Sequence, residues 1–344
     1  MKKLVSLVLC AALVMALMVG AASGEEKKFK IGYTCPTLNN PFFVSMMEGA
    51  QLAADERGIE LVALGSDNDI TKQVAQVEDF ISQEMDAILI QTVDTTGIVN
   101  AIEQCNAANI PVITTAETPA GGEILCAIAF DSYESGYNGG QYIASKLGGK
   151  GNVVELVGVL GQETSRQKSQ GFQDAIACSI ARYSSRIANP RYEPISIASP
   201  RCTTVWHKAS SSAPAAALSV YSRPMTVMEN MLQTFEDIDA VYAANDEMAL
   251  GAAQAVEAAG LTGKIFVMGN DGTTEALEAV ANGVLGATNA TPGYIQGYIA
   301  VDIAFRYLSG ETVPSTIAEK NTVIDLDNLD QAEQITKAVS EDDW

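Results

Sequence analysis

One histidine, His207, and six cysteines are the chain's supply of imidazole bases and thiols, and they do not assemble into a reactive set. Nucleophilic catalysis needs a base beside a serine or cysteine, and no G-x-S-x-G elbow is present. No cysteines stand as C-x-x-C, and no His, Cys or Asp cluster has the spacing of metal ligands. A G-x-x-x-x-G-K-[ST] phosphate cradle is also missing. Binding without catalysis, cofactor or metal is the chemistry left. Its best location is residues 29–49, FKIGYTCPTLNNPFFVSMMEG. The alternation of Phe29, Ile31 and Tyr33 predicts a buried strand. A turn-rich break follows, then Pro41, whose fixed φ and missing N–H suit the first turn of a helix. Asn40 is then the N-cap, and Phe42 and Phe43 stand at the mouth of a strand–loop–helix junction. Ligands of α/β folds bind at such junctions, outside the carboxyl ends of the strands. The two rings suit either a ligand face or the core.

The elements that must hold this junction follow in a repeating order. Apolar, β-branched runs at 60–64, 86–91, 111–115 and 125–130 read as strands, and helical patterns at 42–57, 70–83 and 96–108 lie between them. Strands alternating with helices imply parallel sheets covered on both faces. After Asp131 the pattern starts again, with a helix over 134–147, a strand over 152–157 and further strands near 240–243 and 265–268. The chain reads as two α/β lobes.

Composition sets the setting. The first residues have a positive start at Lys2 and Lys3, an apolar stretch over 4–19 and small residues over 20–24. That is the anatomy of an export signal occupying residues 1–24, with cleavage expected before Glu25. Lipid attachment at Cys10 is poorly supported by Leu7 and Leu9 before it. Without the leader, 42 acidic residues stand against 19 basic ones, an excess of 23. Nucleic acid and anionic membranes require clustered Lys and Arg, so neither is a partner. The five cysteines left are odd in number and widely spaced, which indicates no disulfide framework.

Four stretches in order, TLNNPFF, IPVITT, AVYAANDEMALGAA and VMGNDGT, resemble the periplasmic sugar-binding proteins of the ribose-binding type, soluble receptors of ABC importers. The resemblance covers nearly all of the chain after the leader except one internal block. It implies a type I periplasmic binding protein fold: α/β, two doubly wound parallel-sheet lobes joined by a three-strand hinge and closing on the ligand. It puts the hinge crossings near Phe130, Thr291 and Asn321. One lobe is then 29–130 plus 292–320, and the other 131–291 plus 321–344. The implied partners are a sugar or polyol and a membrane ABC permease, with a chemoreceptor as a further conceivable one; the protein is expected to be a periplasmic monomer. An enzyme on the same scaffold would need the catalytic groups that are missing. A sugar-responsive repressor, which shares the fold, would need a helix-turn-helix and a basic surface.

The resemblance also implies a ligand set. Asn40 matches a residue that hydrogen-bonds sugar hydroxyls, Phe42 and Phe43 match rings that sandwich the sugar, and Arg166 matches a guanidinium donor. Asn245 and Asp271 match hydroxyl ligands of the second lobe, although Asn245-Asp246 is also a good helix cap and Asp271-Gly272 an ordinary turn. Two positions depart from the family. Ala116-Glu117 stands where ribose binders carry an Asp-Arg pair, with Glu117 replacing the carboxylate, and Thr291 stands where they carry a glutamine. A buried polar ligand group without its partner costs about 1–3 kcal/mol, so ribose itself is disfavoured against another sugar, a polyol or a related small polar solute.

One block, 178–224, differs from everything around it. Six basic residues (Arg182, Arg186, Arg191, Arg201, Lys208 and Arg223) face one acid, Glu193, while the rest of the chain after the leader has 41 acids against 13 bases. It admits three readings: an inserted surface loop, a basic docking segment, or an out-of-frame stretch. The abrupt change of composition at both edges favours the last. Such a stretch is expected to be poorly ordered and to leave the second lobe one strand short.

Overall fold

The computed structural model describes residues 28–158, 162–184, 204–209 and 223–337. Their strands form two sheets of six. The first contains β1 (Lys30–Cys35), β2 (Glu60–Gly65), β3 (Ala87–Ile90), β4 (Val112–Thr115), β5 (Cys126–Phe130) and β11 (Thr316–Glu319). Its order is β11-β5-β4-β3-β1-β2, and every pair is parallel. The second contains β6 (Gly151–Leu156), β7 (Thr204–Ala209), β8 (Ala240–Ala243), β9 (Phe266–Asp271), β10 (Ala287–Ala290) and β12 (Thr322–Ile324). Its order, β12-β10-β9-β8-β6-β7, repeats the first, except that β12 runs antiparallel to β10.

Helices cover both faces of each sheet because parallel strands need crossovers. In the first lobe these are α1 (Pro41–Arg57), α2 (Ile70–Ser82) and α3 (Val99–Ala107). In the second they are α4 (Ser132–Lys146), α5 (Glu163–Ser184), α6 (Pro224–Thr234), α7 (Asp246–Ala258) and α8 (Thr274–Ala281). Two-sided cover explains strands that are apolar throughout, such as Ala87–Ile90, whose four residues are all buried. The core of the first lobe accordingly divides into one cluster around Tyr33, Met46 and Ile299 and another around Phe80, Ile88 and Ile102.

The chain passes between the sheets three times: from β5 into α4, from β10 into α9 (Gly293–Leu308), and from β11 to β12. After the second passage α9 lies on α1, so close that a methyl group on Gly49 or Gly297 would meet the carbonyl of Tyr294 or Met46. In the second lobe α4 and α5 meet in the same way, Gly136 against the Lys168 carbonyl and Gly171 against that of Tyr133. The third passage is tied to the first, since Asn321 Nδ2 donates to the Asp131 carbonyl at 2.9 Å. The chain ends its described part in α10 (Ala332–Lys337).

The anomalous block requires a correction. The second sheet is not one strand short, because β7 comes from inside the block and pairs with β6 from Gly151↔Thr204 to Leu156↔Ala209. Thr204, Val205 and Trp206 are strand-favouring types, but three such residues among serines and prolines are too short a run to show a period. Helix α5 runs into the block and ends at Ser184. Residues 185–203 and 210–222, and the leader, lie outside the described residues.

Candidate ligand-binding cleft

Each sheet reverses its order at one place, beside β1 in the first lobe and beside β6 in the second. Loops leaving neighbouring strands there diverge to opposite faces and open a crevice. The two crevices face each other and form a single cleft of about 80 Å³. Its walls are strand-end residues: Asn40, Phe42 and Phe43 after β1, Gln91 after β3, Ala116 and Glu117 after β4, and Phe130 at the end of β5. The second lobe supplies Thr164, Ser165 and Lys168 from α5, Asn245 after β8 and Asp271 ending β9. A larger hollow of about 650 Å³ adjoins it, sharing Phe42 and Asp271, but its remaining walls are helix surfaces with Glu275, Glu278 and Lys337.

Asn40 is the N-cap of α1, its Oδ1 accepting from Phe42 N at 2.8 Å. Its Nδ2 reaches across the cleft to Glu247 Oε2 at 2.8 Å. Phe42 and Phe43 lie edge to face, with ring centres 5.3 Å apart. Both keep a sliver of exposure on the cleft and also belong to the core cluster of α1 and α9, so the two readings open in the sequence describe opposite sides of the same rings. Asn245 likewise lines the cleft while capping α7, accepting from Met248 N at 2.9 Å.

Glu117 is 3% exposed. Its Oε1 accepts from Thr164 Oγ1 at 2.6 Å and from Thr164 N at 3.3 Å, both on the opposite lobe. Its Oε2 is buried and has no hydrogen-bond partner among the described residues. Burial pushes this carboxyl above the usual range, against the hydrogen bonds of Thr164 and the charge of Arg166. Ala116 beside it holds a left-handed backbone, φ 56°, a strain of the kind that collects at binding sites.

Among the described residues the cation that lines the cleft is Lys168; the expected Arg166 does not line it. Lys168 is 5% exposed; its Nζ donates to the Ala244 carbonyl at 3.1 Å, pairs with Asp271 Oδ1 at 3.5 Å and lies 5.3 Å from the centre of the Phe130 ring. Arg166 is absent from the cleft wall; its half-exposed guanidinium pairs with Glu163. Helical phase is the reason, since 164, 165 and 168 share one face of α5 and 166 turns away from it. Asp271, with φ 122°, ends its strand beside a second carboxylate, Asp246. Asp246 is fully buried and accepts from Thr273 N at 2.8 Å and Thr288 Oγ1 at 2.6 Å. Burial first, and then the charge of Asp271, pushes the Asp246 carboxyl up. Asp271 is pushed up by burial and pulled down by Lys168.

Thr291 does not line the cleft either. It is fully buried at the second passage, its N–H donating to the Asp271 carbonyl at 3.0 Å and its Oγ1 without a partner among the described residues. Sequence reasoning also missed Gln91, Phe130, Thr164, Ser165 and Lys168. Gln91 and Phe130 stood at strand ends and the others at i, i+1 and i+4 of one helix, which is the signal that would have found them. Among the described residues no group of three His, Cys, Asp or Glu side chains is placed to hold a metal. No helix among them is long and apolar enough to cross a membrane.

The family model described as "Periplasmic binding protein domain" matches residues 31–312. The chain belongs to this family. It is 35% identical over 296 residues to the ribose import binding protein RbsB of Bacillus subtilis, covering 86% of this chain and 87% of that one. It is 36% identical over 313 residues to RbsB of Escherichia coli, covering 91% and 95%. Solved periplasmic binding proteins share the fold. The ABC transporter solute binding protein of Actinobacillus succinogenes with bound D-allose superposes with TM-score 0.75 at 26% identity, over 88% of this chain and all of that one. That of Bacillus halodurans with bound myo-inositol gives 0.73 at 29% identity, over 91% and 100%. The two doubly wound sheets seen here are thus the type I periplasmic binding protein architecture that the sequence led one to expect.

Proposed function

We propose that this chain is a periplasmic receptor that captures a sugar or sugar-like polyol between its lobes and hands it to a membrane ABC permease. The observation that carries the reading is the convergence of aromatic rings with amides, carboxylates and an ammonium at the strand ends of both sheets. Rings pack on the C–H faces of a sugar while polar groups orient its hydroxyls. Relatives named for ribose import and fold neighbours holding D-allose or myo-inositol support the same ligand class.

In this reading residues 29–130 with 292–320 close on 131–291 with 321–344, and the closed form is what the permease recognises. Acidic side chains on the rims of both lobes make the docking contacts, in keeping with 42 acidic residues against 21 basic ones. The receptor catalyses nothing. The leader directs it to the periplasm.

Thermal unfolding of the purified protein against a panel of pentoses, hexoses and polyols tests the proposal. Ligand at about 100 times Kd stabilises the folded state by about 2.7 kcal/mol. A selective rise in Tm with one sugar or polyol is expected. A cooperative transition that none of them moves would overturn the sugar assignment.

A further inference from the structure

Among the described residues, two hydrogen-bonded pairs cross the cleft, and both end on the first turn of a second-lobe helix. Asn40 Nδ2 donates to Glu247, the second residue of α7, and Glu117 accepts from Thr164, the second residue of α5. The first four N–H groups of a helix have no partner within the helix, and negative charge is favoured beside them. Glu117 therefore caps a helix that belongs to the other lobe. The cap exists only while the lobes are together: when they part, Thr164 Oγ1 and N leave and the carboxylate returns to water.

We infer that Glu117 is a positioning residue for closure, a trans-lobe helix cap that couples ligand capture to the closed form; the inference rests on the receptor function proposed above. The balance at this carboxylate is what makes it a coupler. Burying it at 3% exposure opposes closure, while the two Thr164 hydrogen bonds favour it. Its Oε2 has no hydrogen-bond partner among the described residues. A ligand hydroxyl donating there satisfies the rest of the carboxylate and tips the balance toward the closed state. Apparent affinity then depends on the closed population as well as on ligand contacts. The side chain in the position of the family's missing Asp-Arg pair thus takes hold of the opposite lobe.

The test is a double-mutant cycle on Glu117→Ala and Thr164→Val, read by the affinity for the sugar or polyol that shifts the melt and by small-angle scattering without and with that ligand. Each single substitution is expected to weaken binding about ten- to hundredfold, the range given by loss of a charge-assisted hydrogen bond. The double variant is expected to be no weaker than Glu117→Ala alone, because Thr164 acts through the carboxylate. Glu117→Gln keeps an acceptor for Thr164, so it is expected to recover closure more than affinity. Multiplying losses in the double variant would overturn the inference, as would identical scattering profiles for wild type and Glu117→Ala with and without ligand. The ligand-free scattering comparison needs no binding: a more open Glu117→Ala supports the cap even if no sugar binds, and that outcome would count against the ligand class alone. Circular dichroism melts of each variant show whether the fold is intact.

Discussion

Lys168 and Arg166 stand two residues apart in TSRQKSQGF, and their substitution should have opposite consequences. Lys168 is buried and compensates Asp271, which has Asp246 behind it. Lys168→Met leaves two buried carboxylates without their cation; removing one partner of a buried pair costs about 3–5 kcal/mol. It is expected to lower stability by about that order in a denaturant melt and to abolish ligand binding. Arg166→Ala removes an exposed pair with Glu163, worth at most about 1 kcal/mol, and is expected to lower stability far less than Lys168→Met. Position along the chain could not separate the two cations; the turn of α5 that faces the cleft does. The places of Asn40, Phe42 and Phe43 followed from a strand end and a proline-started helix, and that of Glu117 from the family resemblance. Thr291 was not, because a residue at a passage between lobes can face the cleft or the interior, and the local pattern is the same for both.

At the scale of elements, the cleft depends on two helix pairs held at short range by glycines. Gly171 lets α5 approach the Tyr133 carbonyl of α4, and α5 carries Thr164, Ser165 and Lys168. Gly171→Ala must push the helices apart, an overpacking of the kind that costs about 1–3 kcal/mol. A fall in Tm with a disproportionate loss of affinity is expected, because the displaced helix takes its cleft residues with it. Retention of full affinity would show that the position of α5 is not critical. Most strands and helices were legible, since buried parallel strands are apolar runs and a cap such as Asn40 marks a helix start. Strand β7 was not. Its six residues pair with a strand some fifty positions earlier, and nothing within the basic block announces that partner.

For the molecule as a whole, the two sheets have matching strand order and meet at their reversal points, so one arrangement was used twice and the cleft lies where the halves face each other. The repeat was legible from the alternation of strands and helices; the three passages came only from the family resemblance. The contacts from Asn40 to Glu247 and from Glu117 to Thr164 were not, because no local periodicity encodes which lobe a loop residue will touch. The central claim is that a sugar or polyol occupies this cleft rather than the larger hollow beside it. A crystal structure of the protein with the ligand selected by thermal unfolding addresses it most directly. The account predicts one ligand, stacked on Phe42 and in hydrogen-bond reach of Glu117, Lys168 and Asp271. A ligand seated instead among Glu275, Glu278 and Lys337, or outside both cavities, would contradict it.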